Sequence, residues 1–190
     1  MIVRNVRRAL VAGFAIAALM ATAPGGARAE LKPPVIAVVD VQFILHESTA
    51  GKAIQKAIES QREAYAKEIS GQEEKLRQAD QDLARQHGVL SEDAFGKKRH
   101  EFEKQVMDFQ RDVQARQKSI DQGFNEAMHT LQNSTVEVIA GMVQERGINM
   151  VVSKQQVVIV EKTMDLTQEV LDRLNAKLPS VSVKIPPPKR

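Results

Sequence analysis

The stretch nearest to a catalytic motif is Ser48-Thr49-Ala50-Gly51-Lys52-Ala53. A phosphate-binding loop needs a glycine five residues before its Gly-Lys pair and a hydroxyl residue after it, so that backbone N–H groups and the lysine cradle phosphate oxygens while the hydroxyl serves magnesium. His46 stands at the first of these positions and Ala53 at the second. The four histidines, His46, His87, His100 and His129, lack metal-ligand spacing. There is no cysteine, hence no thiol nucleophile, thiolate metal site or disulfide framework. Carboxylates are plentiful, but they sit on polar helix faces without an apolar pocket to raise a pKa. No serine, histidine and acid arrangement stands out. The expectation is a protein that is not an enzyme and uses no cofactor or metal. One charged cluster remains, Lys97-Lys98-Arg99-His100, with Arg85 and His87 nearby in the expected hairpin and Glu92, Asp93, Glu101 and Glu103 interspersed. It reads equally as a contact for an anionic partner or as an ordinary solvated face.

The elements that carry these residues are mostly helical. Ile69, Leu76, Leu83 and Leu90 fall seven apart, and Ile58, Tyr65, Gln72, Ala79 and Gln86 form a second, half-polar seam position. Gly88 breaks this pattern. Ser91 offers an N-cap, with Glu92 and Asp93 suited to the positive helix end. The return segment places Phe95, Phe102 and Phe109 at sevens, interleaved with Val106, Val113 and Ile120. Its register slips by one near Gly123 and resumes through Phe124, Met128, Leu131, Thr135, Val138 and Met142, and Gly147 is placed to end it. This predicts a long antiparallel helical hairpin over residues 48–147, with arms of about 60 and 80 Å at 1.5 Å per residue. Gln72, Gln86, Arg99 and Arg116 interrupt its seam.

Short apolar runs flank the hairpin. Val35 to Val39 reads as a buried strand, followed by Asp40 as cap of a short helix through Val41, Phe43 and Ile44. Ile148 to Val152 and Val157 to Val160 read as two strands joined by a polar turn. Asp165 caps a helix carrying Leu166, Val170, Leu171, Leu174 and Leu178, with Gln168 at the third position of a capping box. A discontinuous head over residues 30–47 and 148–178 follows, mainly β-stranded, while residues 179–190 form a proline-rich, solubilising tail. Three short strands and one helix bury too little apolar area to stand alone. The fold class is therefore mainly α with a small β head: a coiled-coil-like hairpin projecting from a short-stranded oligomerisation head. Its candidate contact residues are Val35, Ile36, Val38, Val39, Met150, Val151, Val152, Val158 and Ile159.

Residues 1–29 read as a secretory signal peptide. Arg4, Arg7 and Arg8 form the basic region, Leu10 to Ala21 the apolar core, and Ala27-Arg28-Ala29 the cleavage pattern before Glu30. The apolar run is shorter than the roughly 20 residues that a bilayer span requires. The signal carries four of the 27 basic residues and none of the 24 acidic ones, so the exported chain is near neutral despite a whole-chain pI of 9.2. Nothing in that balance suggests nucleic acid.

With these features in place, the chain resembles the Skp/OmpH family of periplasmic chaperones. The likeness rests on the opening IAVVDVQFILHESTAGKA, the turn segment LSEDAFGKKRHEFEK, and the closing GINMVVSKQQVVIVEKTMDLTQEVLDRLN. It runs to about Asn175 and leaves out the tail. The resemblance implies a homotrimer whose three arms surround a cavity. That cavity receives unfolded outer-membrane β-barrel proteins without ATP. It also implies basic arm tips, here Arg85, Lys97, Lys98 and Arg99, that meet acidic client segments, an anionic membrane surface or lipopolysaccharide. Phe95, Phe102 and Phe109 are candidate client-facing residues, although apolar stripes of this kind first of all hold a hairpin together. The alternatives are a coiled-coil adaptor of an export pump, which would carry sizeable β-domains, and an envelope spacer, which would want a filled seam and an anchor.

Overall fold

The apolar run at the start of the described chain forms a strand, and the last strand and last helix of the chain return to pack against it. A computed structural model describes residues 33–187; the expected signal peptide and its cleavage site lie outside that range. Strand β1 (Ile36–Val39) leads into helix α1 (Val41–Glu47), helix α2 (Thr49–Gln86) and helix α3 (Glu92–Arg146). Strand β2 (Met150–Ser153), two single turns of 3-10 helix and helix α4 (Thr167–Lys177) complete the order. β1 and β2 pair in parallel, Ile36 opposite Met150 and Val39 opposite Ser153. On the other edge of β1, Val38 bridges Asp165, and its carbonyl accepts from the Leu166 N–H at 2.9 Å.

Local chemistry sets the helix boundaries. Asp40 caps α1 by accepting from the Phe43 N–H at 3.0 Å. The buried Ser48 hydroxyl accepts from the Gly51 N–H at 3.0 Å and so caps α2. A Cβ at Gly51 would lie 1.9 Å from the Leu45 carbonyl oxygen, so the stretch that imitates a phosphate loop is a tight α1–α2 joint that only glycine fits. Ser91 caps α3, and Glu92 and Asp93 occupy its first turn. Gly147 ends that helix in the left-handed region at φ 65°.

The hairpin matches expectation: α2 and α3 are 38 and 55 residues long, joined by a turn that contains Gly88 at φ 124°. Their base is thickened by α1 and α4. Ile44, Ile54, Leu131, Met142, Val170 and Leu174 are fully buried there. Asn175 ties α4 to the start of α2, its Oδ1 accepting from the Thr49 N–H at 2.8 Å.

Four local expectations are corrected. Val157–Val160 is not a strand: β2 ends at Ser153, and Val158 and Ile159 are 98% and 89% exposed because no strand of the protomer reaches them. The capping box at α4 does not close. Asp165 Oδ1 accepts from the Thr167 N–H at 3.0 Å, whereas Gln168 turns to Asp172. The inward face of α3 runs through Gly123 and Ala127, and Phe124 stays at the surface. Finally, residues 179–187 are not a loose solubilising end. They run extended against the core, with Val181, Val183 and Ile185 packed inward and Ser182 and Lys184 outward.

Candidate interaction surfaces of the arm and the head

Two helices alone cannot enclose a side chain, and the outer arm shows this. Beyond Ile58 on α2 and before Ser119 on α3 no residue is fully buried. Phe95, Phe102 and Phe109 are half-buried along the seam. Phe95 packs in a T-shaped arrangement with the His87 ring, with centroids 4.8 Å apart. Gln72 and Gln86 hold half-buried seam positions as expected. Arg99 does not: it is exposed and pairs with Glu103 on its own helix at 3.5 Å.

Arg116 does fill the seam, and its side chain keeps only 15% of its surface exposed. Nε donates to Asp112 Oδ2 at 2.7 Å, a second nitrogen reaches Glu68 on α2, and the guanidinium lies over the Tyr65 ring. The bond to Asp112, reinforced by Glu68, raises the Arg116 pKa against the effect of burial. A polar cluster thus stands where a continuous coiled coil would place an aliphatic residue. The two helices are held there by charge and stacking rather than by aliphatic packing.

The tip is less basic than its lysine run suggests. Residues 82–103 hold four Lys and Arg against five Asp and Glu. Arg85 pairs with Asp82, and Lys97 with Asp93 at 2.9 Å. Lys98 donates across the turn to Gln86 Oε1 at 2.7 Å. Val89, at the turn itself, is 82% exposed. Among the described residues no three His, Asp or Glu side chains converge as metal ligands. The histidines are dispersed: His46 bonds Glu47, His87 packs on Phe95, His129 bonds Asn133, and His100 is exposed at the tip.

The head residues divide into two groups. Val38 and Val39 are buried within the protomer itself, and Ile36 and Val152 are half-buried. Val35, Met150, Val151, Val158 and Ile159 are exposed. Four of these five lie on β2 or the loop that follows it, and β2 pairs with β1 alone in the described sheet. An apolar strand with an uncovered edge is a template for pairing with another chain. At the other end of β2, Lys154 Nζ donates to Asp165 Oδ2 at 2.7 Å. Burial works against ionisation of Asp165, but its bonds from Lys154 and Thr167 prevail and hold its carboxyl below the ordinary range.

Among the described residues no helix is long and apolar enough to cross a membrane. No curated protein matches the chain. A solved structure from Caulobacter crescentus CB15, described as an OmpH-like outer membrane chaperone, is similar in fold. Its TM-score is 0.73 at 18% identity, covering 80% of this chain and 90% of that one. The profile of the OmpH-like outer membrane proteins matches residues 35–174, from β1 to the last turn of α4. This chain belongs to the OmpH-like outer membrane protein family.

Proposed function

We propose that the protein is an ATP-independent holdase chaperone of the periplasm. Its heads join as a homotrimer, and the arms hold unfolded outer-membrane β-barrel proteins in the space between them. The observation that carries this reading is a contrast within one chain. A solid base supports a long outer arm, residues 59–118, in which nothing is fully buried, while the head leaves Met150, Val151, Val158 and Ile159 uncovered. Exposed apolar side chains of this kind mark an interaction surface. Family membership and the chaperone-like fold of the Caulobacter protein support the same reading.

Within this scheme the half-buried phenylalanines and aliphatic stems of the arm grip a client at many weak points. The tips act on encounter, toward acidic client segments, anionic membrane or lipopolysaccharide. Local pairing of Lys97 and Arg99 limits that second role. The test is dilution of a denatured β-barrel protein into buffer with and without the purified mature chain. Suppressed turbidity, unchanged by ATP with magnesium or by a chelator, is the expected result. Unsuppressed aggregation at a molar excess of the protein rejects the holdase reading.

A further inference from the structure

The chain carries its own extended, alternating segment, already packed on the arm. After α4 ends at Lys177, the backbone continues along α3 toward the tip. Lys177 pairs with Glu137 at 2.8 Å, and Lys184 and Ile185 lie against Gly123. Fourteen helical residues span about 21 Å, and seven extended residues span about 23 to 25 Å, so the tail is near full extension along the helix. Its contact is intimate. A Cβ at Gly123 would meet the Lys184 carbonyl oxygen at 2.8 Å and Ile185 Cγ1 at 3.0 Å. Ser119 and Ala127, one turn away on either side, are also small and buried. The segment lies beyond the family match, which ends at residue 174.

Three properties make this more than a brace. Val181-Ser182-Val183-Lys184-Ile185 alternates apolar and polar residues, the pattern of a strand in a membrane β-barrel. Among the described residues no hydrogen bond fixes residues 179–187 to the arm, so apolar side chains and close backbone approach do the holding. Such a contact asks for alternating apolar side chains rather than for specific polar partners. It is also placed where the thick base gives way to the two-helix arm. We infer that the face of α3 around Gly123 is a binding surface for extended, alternating β-strand segments of unfolded barrel proteins, and that the tail is its resident occupant, displaced when a client binds. This inference rests on the holdase reading.

Tail and client then compete for one surface. If the tail covers it nine-tenths of the time, the apparent client affinity is lowered about tenfold. Three proteins decide the matter: the mature chain, the same chain ending at Leu178, and that shortened chain with Gly123→Leu. A labelled synthetic peptide of residues 179–190 should bind the shortened chain and bind the mature chain at least several-fold more weakly. A labelled unfolded β-barrel protein should bind the shortened chain several-fold more tightly than the mature one, and excess peptide should remove the difference. Gly123→Leu should abolish both peptide binding and the gain, since the nearest atoms its side chain meets belong to the tail. In the full-length chain, Val183→Asp should reproduce the gain without shortening. If the mature chain holds client and shortening leaves the affinity unchanged or lowers it, the tail is only a brace and the inference fails alone. If neither chain holds client, the holdase reading fails with it, and the peptide titration still reports whether the surface takes an extended chain.

Discussion

The guanidinium carbon of Arg116 on α3 lies 4.8 Å from the centre of the Tyr65 ring on α2, the one cation–aromatic contact among the described residues. With Asp112 and Glu68 it forms a polar clasp between the two arms. Stacking of a partly desolvated guanidinium is worth about 0.5 to 2 kcal/mol, and charge-assisted bonds at a surface add less. Arg116→Ala should lower stability by about 1 to 2 kcal/mol in urea unfolding. Arg116→Lys should recover less than half, because an ammonium neither forks nor stacks in the same way. An alanine variant as stable as the parent would mean the clasp is incidental.

Gly51 and Gly71 lie on the same helix and predict opposite signs. Alanine at Gly51 collides with the Leu45 carbonyl, and forcing α1 and α2 apart should cost about 2 to 4 kcal/mol. A Cβ at Gly71 meets nothing within 4 Å, so alanine there should stabilise by about 0.5 to 1 kcal/mol through helix propensity. Thermal denaturation of the two variants beside the parent reads both signs at once.

Asp165 makes the head acid-sensitive. Its folded pKa lies below the unfolded value, so its contribution is fully present above about pH 4 and is lost as pH falls through the folded value. The raised pKa of Lys154 acts on the alkaline side: its contribution is present at neutral pH and disappears only as pH rises through the folded value. Asp165→Asn should be less stable at pH 7 and should lose less additional stability between pH 5 and 3. Parallel stability curves for variant and parent across that window would contradict this.

The divided head separates folding from assembly. Aspartate at both Val158 and Ile159 should leave helix content and the unfolding midpoint of the protomer nearly unchanged, because both side chains already face water. If the proposed trimer forms through this loop, the double variant should shift light scattering toward monomer, since an unpaired charge in an interface costs several kcal/mol. Val38→Asp should instead unfold the protomer, as Val38 is 2% exposed within it. A stable trimer from the double variant would remove the loop from the interface.

At the tip, replacing Lys97, Lys98 and Arg99 by glutamine should slow client association by no more than about threefold at low salt and leave dissociation unchanged, because exposed charges act mainly on encounter. Stopped-flow fluorescence at two salt concentrations measures both rates. A faster dissociation would place the tips in the grip itself.

Elements held by local chemistry were readable from the chain. The caps Asp40 and Ser91, the stop at Gly147 and the seam through Leu76, Leu83, Phe102 and Phe109 each follow from residue type and spacing within a few turns. Expectations failed where distant segments decide. Val157–Val160 is rich in β-branched residues, yet a strand needs a partner, and the protomer supplies none. Gly123 reads as a flaw in a heptad until the tail is seen against it. The signal for that docking was present in the period-two alternation of Val181, Val183 and Ile185, but the neighbouring prolines dominate the composition.

The parallel pairing of β1 and β2 also fixes an order of events. Ile36 and Met150 are partners, yet they stand 114 positions apart, and nearly everything between them is the arm. Closing so long a flexible loop would carry an entropic penalty of about 4 kcal/mol. A hairpin that forms first, from contacts between neighbouring turns, brings its two ends together and removes most of that penalty. A chain whose hairpin zips first closes its sheet last, once the whole arm has formed. A chain cut short within the arm lacks β2 and never completes its sheet, so the exposed apolar residues of β2 and of the loop after it are displayed only by molecules whose arm is whole.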